Sequence, residues 1–232
     1  MALSKAEIER IASETGTAVL QWAGAGVPET RIIRKTLSDR LKVESGGDVA
    51  AIGLAIASDP RMKSARARWV GWELIQKHKG ASATLDLASV TALGEGNSTW
   101  DEVDGFGLCI FGPAWLRGQI GDHEVMAWAA DPDLWKRRTA LVGTVALNTK
   151  AHGGSGDARR TLEVAGVLVD DREDMVVKAM SWALRALASW DRDAVVAFMA
   201  RHDDHLAARV KREVRTKLRT GKKNAKAPVS GE

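Results

Sequence analysis

Tyrosine is absent from this sequence, cysteine occurs once, and no apolar run reaches the roughly 18 residues that a membrane-spanning helix needs. The single Cys109 excludes an internal disulfide and a cysteine-ligated zinc site. The N-terminal segment MALSKAEIER lacks the basic and apolar parts of a secretory signal peptide. We therefore expect a cytoplasmic protein without a membrane partner.

The chain is rich in tryptophan and carries a block of positive charge near its C-terminus. The chain has nine Trp and three Phe, and flat indole rings favour stacking or the lining of a cleft. Residues 209–226 carry nine Lys or Arg and one Glu, a local charge of +8 within a formal total of +4, which leaves −4 for the remainder. Such a block indicates a polyanionic partner, although a solvated basic tail is about as common.

The hydrophobic periodicity is helical nearly throughout, and no segment shows sustained strand alternation. Short helices in pairs predict an all-α fold, an α-solenoid of HEAT-like repeats, with one domain over residues 1–220 and a basic, disordered tail over 221–232. The predicted helices cover about 4–23, 28–42, 47–58, 60–78, 81–93, 99–111, 121–130, 132–147, 157–169, 172–189, 191–201 and 204–219.

The stretch NSTWDEVDGFG, residues 97–107, contains three carboxylates near the start of a predicted helix. With Thr99 as N-cap, Glu102 completes a capping box, and Asp101 lies where the helix dipole favours an acid. Asp104 has no such local explanation. Its position is in the middle of the stripe formed by Trp100, Val103, Gly107 and Phe111, so it needs either a cation or a chemical task. A buried Asp that ties one helix to the next is commoner in proteins than a catalytic Asp at such a position.

A second helix, within residues 131–147, carries arginine on its apolar face. Asp131 is predicted to cap it, with Pro132 at the first position. Arg138 lies in the centre of the stripe and Arg137 at its edge. Arg138 is a natural partner for Asp104 or for a phosphate, and on helix geometry alone a purely structural Asp–Arg bridge is the better interpretation. The stripe consists of Leu134, Leu141, Val142 and Val145.

A third helix, within residues 171–190, has an apolar stripe opposed by a cationic, aromatic face. The second face holds Lys178, Trp182 and Arg185, a set suited to phosphates and sugars of nucleic acid, although a helix inside a solenoid can bury both faces. The stripe consists of Val176, Met180, Ala183, Leu184 and Leu187.

Two further motifs are weaker. HGGSGDARR, residues 152–160, leads into a helix N-terminus that can bind phosphate, but it lacks the P-loop lysine, and a plain connector is the better interpretation. HDDH, residues 202–205, has no metal-ligand spacing and is interpreted as a solvated turn. We expect no metal and no cofactor.

The runs TWDEVDGFG, FGPAW, DPDLWKRRTALV and DDREDMVVKAMSWALR, in this order, resemble the AlkD-like DNA alkylation repair family, the HEAT-like-repeat 3-methyladenine and 7-methylguanine DNA glycosylases. The resemblance covers roughly residues 60–220. It implies a concave basic groove, a monomer, and double-stranded DNA containing alkylated purines as the partner. Two departures are Thr99, where family members often have a second aromatic residue, and the missing tyrosines.

Carried over by motif, the family's catalytic set corresponds to Trp100, Asp104, Arg138 and Trp182. The implied activity is monofunctional hydrolysis of the N-glycosidic bond of a cationic purine, without flipping the base into a pocket. A non-catalytic binder of damaged or branched DNA and a protein-interaction scaffold are the alternatives. DNA contacts are expected from basic residues of the second and third helices and of the C-terminal block, namely Arg137, Lys178, Arg185, Arg212, Arg215 and Lys217.

Overall fold

The computed structural model describes residues 2–22, 27–64 and 67–223, and all regular secondary structure within these ranges is helical, which confirms the all-α prediction. Residues 224–232 of the predicted disordered tail lie outside the described residues. The helices are α1 (Lys5–Gln21), α2 (Val27–Leu41), α3 (Gly46–Ser58), α4 (Pro60–Ser64), α5 (Trp69–Lys77), α6 (Leu87–Gly94), α7 (Trp100–Phe106), α8 (Gly112–Leu116), α9 (Asp122–Ala129), α10 (Leu134–Leu147), α11 (Ala158–Val167), α12 (Asp174–Leu187), α13 (Arg192–Arg201) and α14 (Ala208–Thr220).

The chain forms two compact units, Met1–Ile120 and Gly121–Glu232. In the first unit, α3 packs between α1 and α5, and α5 also packs on α7. Alternate helices therefore lie side by side, as they do when helical pairs stack in a repeat protein. The core of this unit is closed by large side chains with almost no exposed surface, including Ile52, Ile56, Trp72, Phe106 and Trp115.

The second unit repeats this arrangement. Helix α12 packs between α10 and α14, while α9 and α11 pack on α10 and on each other. Its core includes many small and medium aliphatic side chains, among them Leu141, Ala146, Val176, Leu184 and Val214. None of the described helices is both long and apolar enough to cross a membrane.

Several predicted helix ends are wrong by a few residues. The helix expected over 60–78 is two helices, and the one expected from 204 begins at Ala208. The helix expected from 132 begins at Leu134, because Asp133 rather than Asp131 caps it by accepting a hydrogen bond from the Trp135 amide. Asp131 instead accepts from the Asp133 amide and from Lys136.

The helix expected over 99–111 extends to Leu116. Between α7 and α8 the backbone is π-helical over Gly107–Phe111, so the three segments form one continuous helical run. Such π-helical insertions are frequent at functional sites. Gly105, just before it, packs so closely on α5 that an added Cβ would lie 3.2 Å from the Trp72 ring. Gly105 therefore allows α7 to pack closely on α5.

Candidate nucleic-acid interface

Helix α7 presents Trp100 and Asp104 one turn apart. Val103 and Phe111 are buried as predicted, whereas Trp100 is 54% exposed and Asp104 is half-buried. The expectation that Trp100 faces inward is wrong. It is the first residue of the helix, and helical side chains lean toward the N-terminus, so its indole extends past the helix end rather than over a preceding turn. An exposed ring therefore lies one turn before a partly buried carboxylate on the same helix.

The start of α7 is held by Glu102. The predicted capping box is wrong in detail, because the Thr99 side chain accepts no amide hydrogen bond. Instead the Thr99 hydroxyl and the Ser98 amide both donate to Glu102 Oε2, over 3.0 and 3.1 Å. Glu102 Oε1 lies 3.9 Å from Arg68 Nη1, and both side chains are only 4% exposed. A buried ion pair therefore fixes the turn that carries Trp100.

Arg68 connects this turn to the surrounding helices. Its Nε donates to the Ala57 carbonyl over 2.7 Å, its Nη1 to Asn97 over 2.7 Å, and its Nη2 to the Glu95 carbonyl over 2.9 Å. The guanidinium also lies over the Trp72 ring, 5.3 Å from its centroid. Burial lowers the pKa of Arg68, and Glu102 opposes that shift. Sequence reasoning missed Arg68, although its position directly before the apolar run WVGW is the signal that could have identified it.

In the second unit, α10, α12 and α14 bring four predicted residues together around one open depression of about 380 Å³. The depression is lined by four residues that were predicted as site residues, Arg138, Lys178, Trp182 and Arg185. Arg209, Glu213 and Lys223 complete the lining and were not predicted. Five cationic side chains and one carboxylate therefore surround a half-buried indole, an arrangement that suits a phosphate backbone and its sugars.

The predicted face of α12 is confirmed, whereas α10 has no single apolar stripe, because all its residues from Arg138 to Leu147 are buried. The predicted stripe of α12 is buried, while Lys178, Trp182 and Arg185 lie on its other side. Arg138 is buried among the apolar residues of α10, and its Nη1 donates a hydrogen bond to the Met175 carbonyl next to the start of α12. Arg138 thus ties α10 to α12 at the edge of the depression.

The remaining predicted DNA contacts have different surroundings. Arg137 is tied to Asp171 over 2.7 Å and to two backbone carbonyls, so its guanidinium has a structural role. Arg215 pairs with Asp203 over 2.5 Å, and Lys217 donates to the Gly221 carbonyl. Arg212 is exposed on α14. All four contacts with DNA stay predictions.

The two weaker motifs have structural roles in the second unit. In the Gly-rich loop, the Asp157 amide donates to the buried side chain of Asn148, whose own amide donates to Thr161 over 2.8 Å. In the 202–205 turn, His205 contacts Asp170 over 3.0 Å. Among the described residues no group of three or more His, Cys, Asp or Glu side chains could hold a metal ion.

Comparison with known proteins identifies a matching protein family. The family model described as DNA alkylation repair enzyme matches residues 2–218. No curated protein and no solved structure gave a match. The matched region includes the N-terminal 60 residues, where the motif resemblance is loose, as well as all the motifs on α7, α10 and α12. This chain belongs to the DNA alkylation repair enzyme family.

Proposed function

We propose that this protein is a monofunctional DNA glycosylase that hydrolyses the N-glycosidic bond of 3- or 7-alkylated purines in double-stranded DNA. The observation that carries the proposal is the pairing on α7 of the exposed Trp100 with the half-buried Asp104, in a chain of the DNA alkylation repair family. Family membership supports a role in alkylation repair. The carboxylate supports the hydrolytic reaction.

The protein needs no general acid to protonate the leaving base, because the alkylated purine already carries a positive charge. A purine alkylated at N3 or N7 is cationic, and it leaves as a neutral base that takes the electron pair of the C1′–N bond. The deoxyribose becomes oxocarbenium-like as that bond breaks, and a carboxylate stabilises positive charge there. A water molecule then forms the new C1′–O bond and loses a proton, which Asp104 accepts and passes to solvent.

The aromatic and cationic side chains would bind the DNA. Trp100 and Trp182 would pack their ring faces on deoxyribose, while Lys178 and Arg185 would contact phosphates. Arg138 would add a phosphate contact from the edge of the depression. Since such contacts do not read base edges, the base can stay in the helix during hydrolysis and binding should weaken steeply with salt.

A single-turnover assay tests this proposal. Duplexes that differ only in one 7-methylguanine or one unmodified guanine are incubated with excess protein, and free base is measured. We expect release of 7-methylguanine alone, with an abasic site and no strand cleavage. Binding to both duplexes without release of any base would contradict the proposal.

The second candidate is a non-catalytic DNA binder. The depression of the second unit favours it, because its cations and Trp182 would bind a DNA backbone without any help from Asp104. This candidate predicts equal base release from protein-containing and protein-free reactions, so the same assay distinguishes the two functions.

A further inference from the structure

Glu213 is an acid in an unexpected place. It is the only acidic residue among the nine basic ones of residues 209–226, and it lines the depression that we propose to bind DNA. An anionic side chain there repels phosphates, so its presence weakens DNA binding if charge alone matters. The structure buries Glu213, leaving 8% of its surface exposed. Its contacts indicate what it does.

Glu213 joins two arginines across α12 and α14. Its Oε2 accepts a hydrogen bond from the Ser181 hydroxyl over 2.7 Å, and its Oε1 accepts one from Arg209 Nε over 3.0 Å. Ser181 Oγ in turn accepts from Arg185 Nε over 3.2 Å, and Arg185 Nη2 lies 3.8 Å from Glu213 Oε2. A carboxylate and a hydroxyl, both buried, therefore fix the guanidinium group of Arg185, and the carboxylate holds Arg209 together with Asp174, whose Oδ1 accepts from Arg209 Nη1 over 3.2 Å.

The charges in this cluster depend on one another. Burial lowers the pKa of Arg185, and the carboxylate of Glu213 opposes that shift. Burial raises the pKa of Glu213, but hydrogen bonds from Ser181 and Arg209, together with the charges of Lys223 and Arg185, outweigh burial and leave the pKa below its ordinary value. The hydrogen bond from Arg185 to Ser181 uses Nε, and a guanidinium has four further N–H donors on its two Nη atoms. Those donors can reach phosphate oxygens while Nε holds the side chain in place.

We propose that Glu213 and Ser181 are positioning residues that hold Arg185 and Arg209 in the orientation that binds phosphates of the DNA backbone. The inference rests on the proposed DNA-binding function of this depression. Pre-ordered guanidinium groups bind phosphate more tightly than freely moving ones, because less side-chain freedom is lost on binding. The repulsion between Glu213 and DNA is then outweighed by the order that Glu213 imposes.

Glu213→Gln tests this proposal, because the change in charge and the loss of positioning have opposite effects on DNA affinity. The substitution makes the protein more basic by one unit, which on charge alone tightens DNA binding. We expect instead that affinity for a short unmodified duplex falls about tenfold, the loss of roughly one charged hydrogen bond. The slope of log affinity against log salt should also fall by about 1 for each phosphate that the variant no longer binds, an effect that mere loss of folded protein does not produce.

Two further variants separate the effect of lost charge from the effect of lost positioning. Glu163→Gln on α11 removes the same charge from a side chain that is 46% exposed and outside the depression, and it should leave affinity unchanged or slightly improved. Ser181→Ala removes the bridging hydroxyl without changing any charge, and it should weaken binding in the same direction as Glu213→Gln. If Glu213→Gln fails to fold, as circular dichroism would show, Ser181→Ala carries the test.

Arg185→Ala provides the reference that distinguishes the two proposals. If this variant binds the duplex as tightly as wild type, the depression is not the DNA interface and the proposed function loses its binding surface. If Arg185→Ala binds weakly while Glu213→Gln and Ser181→Ala bind as well as Glu163→Gln with an unchanged salt slope, only the positioning inference is overturned.

Discussion

Replacing Glu102 by glutamine should destabilise the first unit, although the side chain keeps its size. The amide oxygen of glutamine can still accept from Ser98 and Thr99, so the main loss is the charge facing Arg68 at 3.9 Å. Two unit charges at that distance attract by about 4 kcal/mol in an effective dielectric of about 20. Relief of the buried carboxylate offsets part of this, and we expect unfolding free energy to fall by about 3 kcal/mol.

Urea unfolding followed by circular dichroism measures this loss. The matched control is Glu14→Gln on α1, because Glu14 pairs with Arg10 over only 2.6 Å but both side chains are about half exposed. Solvent weakens that pair, so its removal should leave the urea midpoint close to wild type. If Glu102→Gln and Glu14→Gln shift the midpoint equally, the reasoning from burial is refuted.

Two other expectations concern glycine and cysteine. Gly154→Ala should strongly destabilise the protein, because the added Cβ would lie 2.2 Å from the Ala146 carbonyl oxygen. An added Cβ at Gly166 on α11 meets nothing within 4 Å, so Gly166→Ala should stabilise the protein by about 0.5–1 kcal/mol. Equal melting temperatures of the two variants would contradict this expectation. Burial raises the pKa of the Cys109 thiol to about 12, so it should not react with a thiol reagent at pH 8 until urea is added. Because the unfolded thiol ionises near pH 8.5 while the folded one keeps its proton, stability should fall as pH rises above about 8.5, and Cys109→Ala should remove that part of the slope.

The faces of the longer helices could be predicted because their patterns are strong and local. On α12, the apolar residues at helical spacing fixed which side is buried, and this placed Lys178, Trp182 and Arg185 together on the other side. The exact ends were less predictable. Asp131 and Asp133 are equally good caps by residue type, and a hydrogen bond from Lys136 to Asp131 is part of what distinguishes them.

The parts of the site that sequence reasoning missed depend on contacts distant in sequence. Arg68 is stabilised by Ala57, Glu95 and Asn97, and no spacing rule connects these positions. Glu213 looks like an ordinary helix acid until Ser181, 32 residues earlier, is seen to donate to it. The position of Trp100 on the inward stripe was wrong although Thr99 was correctly predicted as the N-cap, because a helical wheel does not show that a side chain of the first turn has no preceding turn to pack on.

The role of Asp104 is the central claim, and one comparison tests it most directly. Asp104→Asn and Asp101→Asn make the same substitution one turn apart on α7, and each is measured for single-turnover release of 7-methylguanine and for affinity to the same duplex. Since electrostatic stabilisation of a transition state is worth orders of magnitude in rate, we expect Asp104→Asn to release base at least about a hundredfold more slowly with little change in affinity. Asp101→Asn should stay near wild type. Release by Asp104→Asn at the wild-type rate would contradict the account.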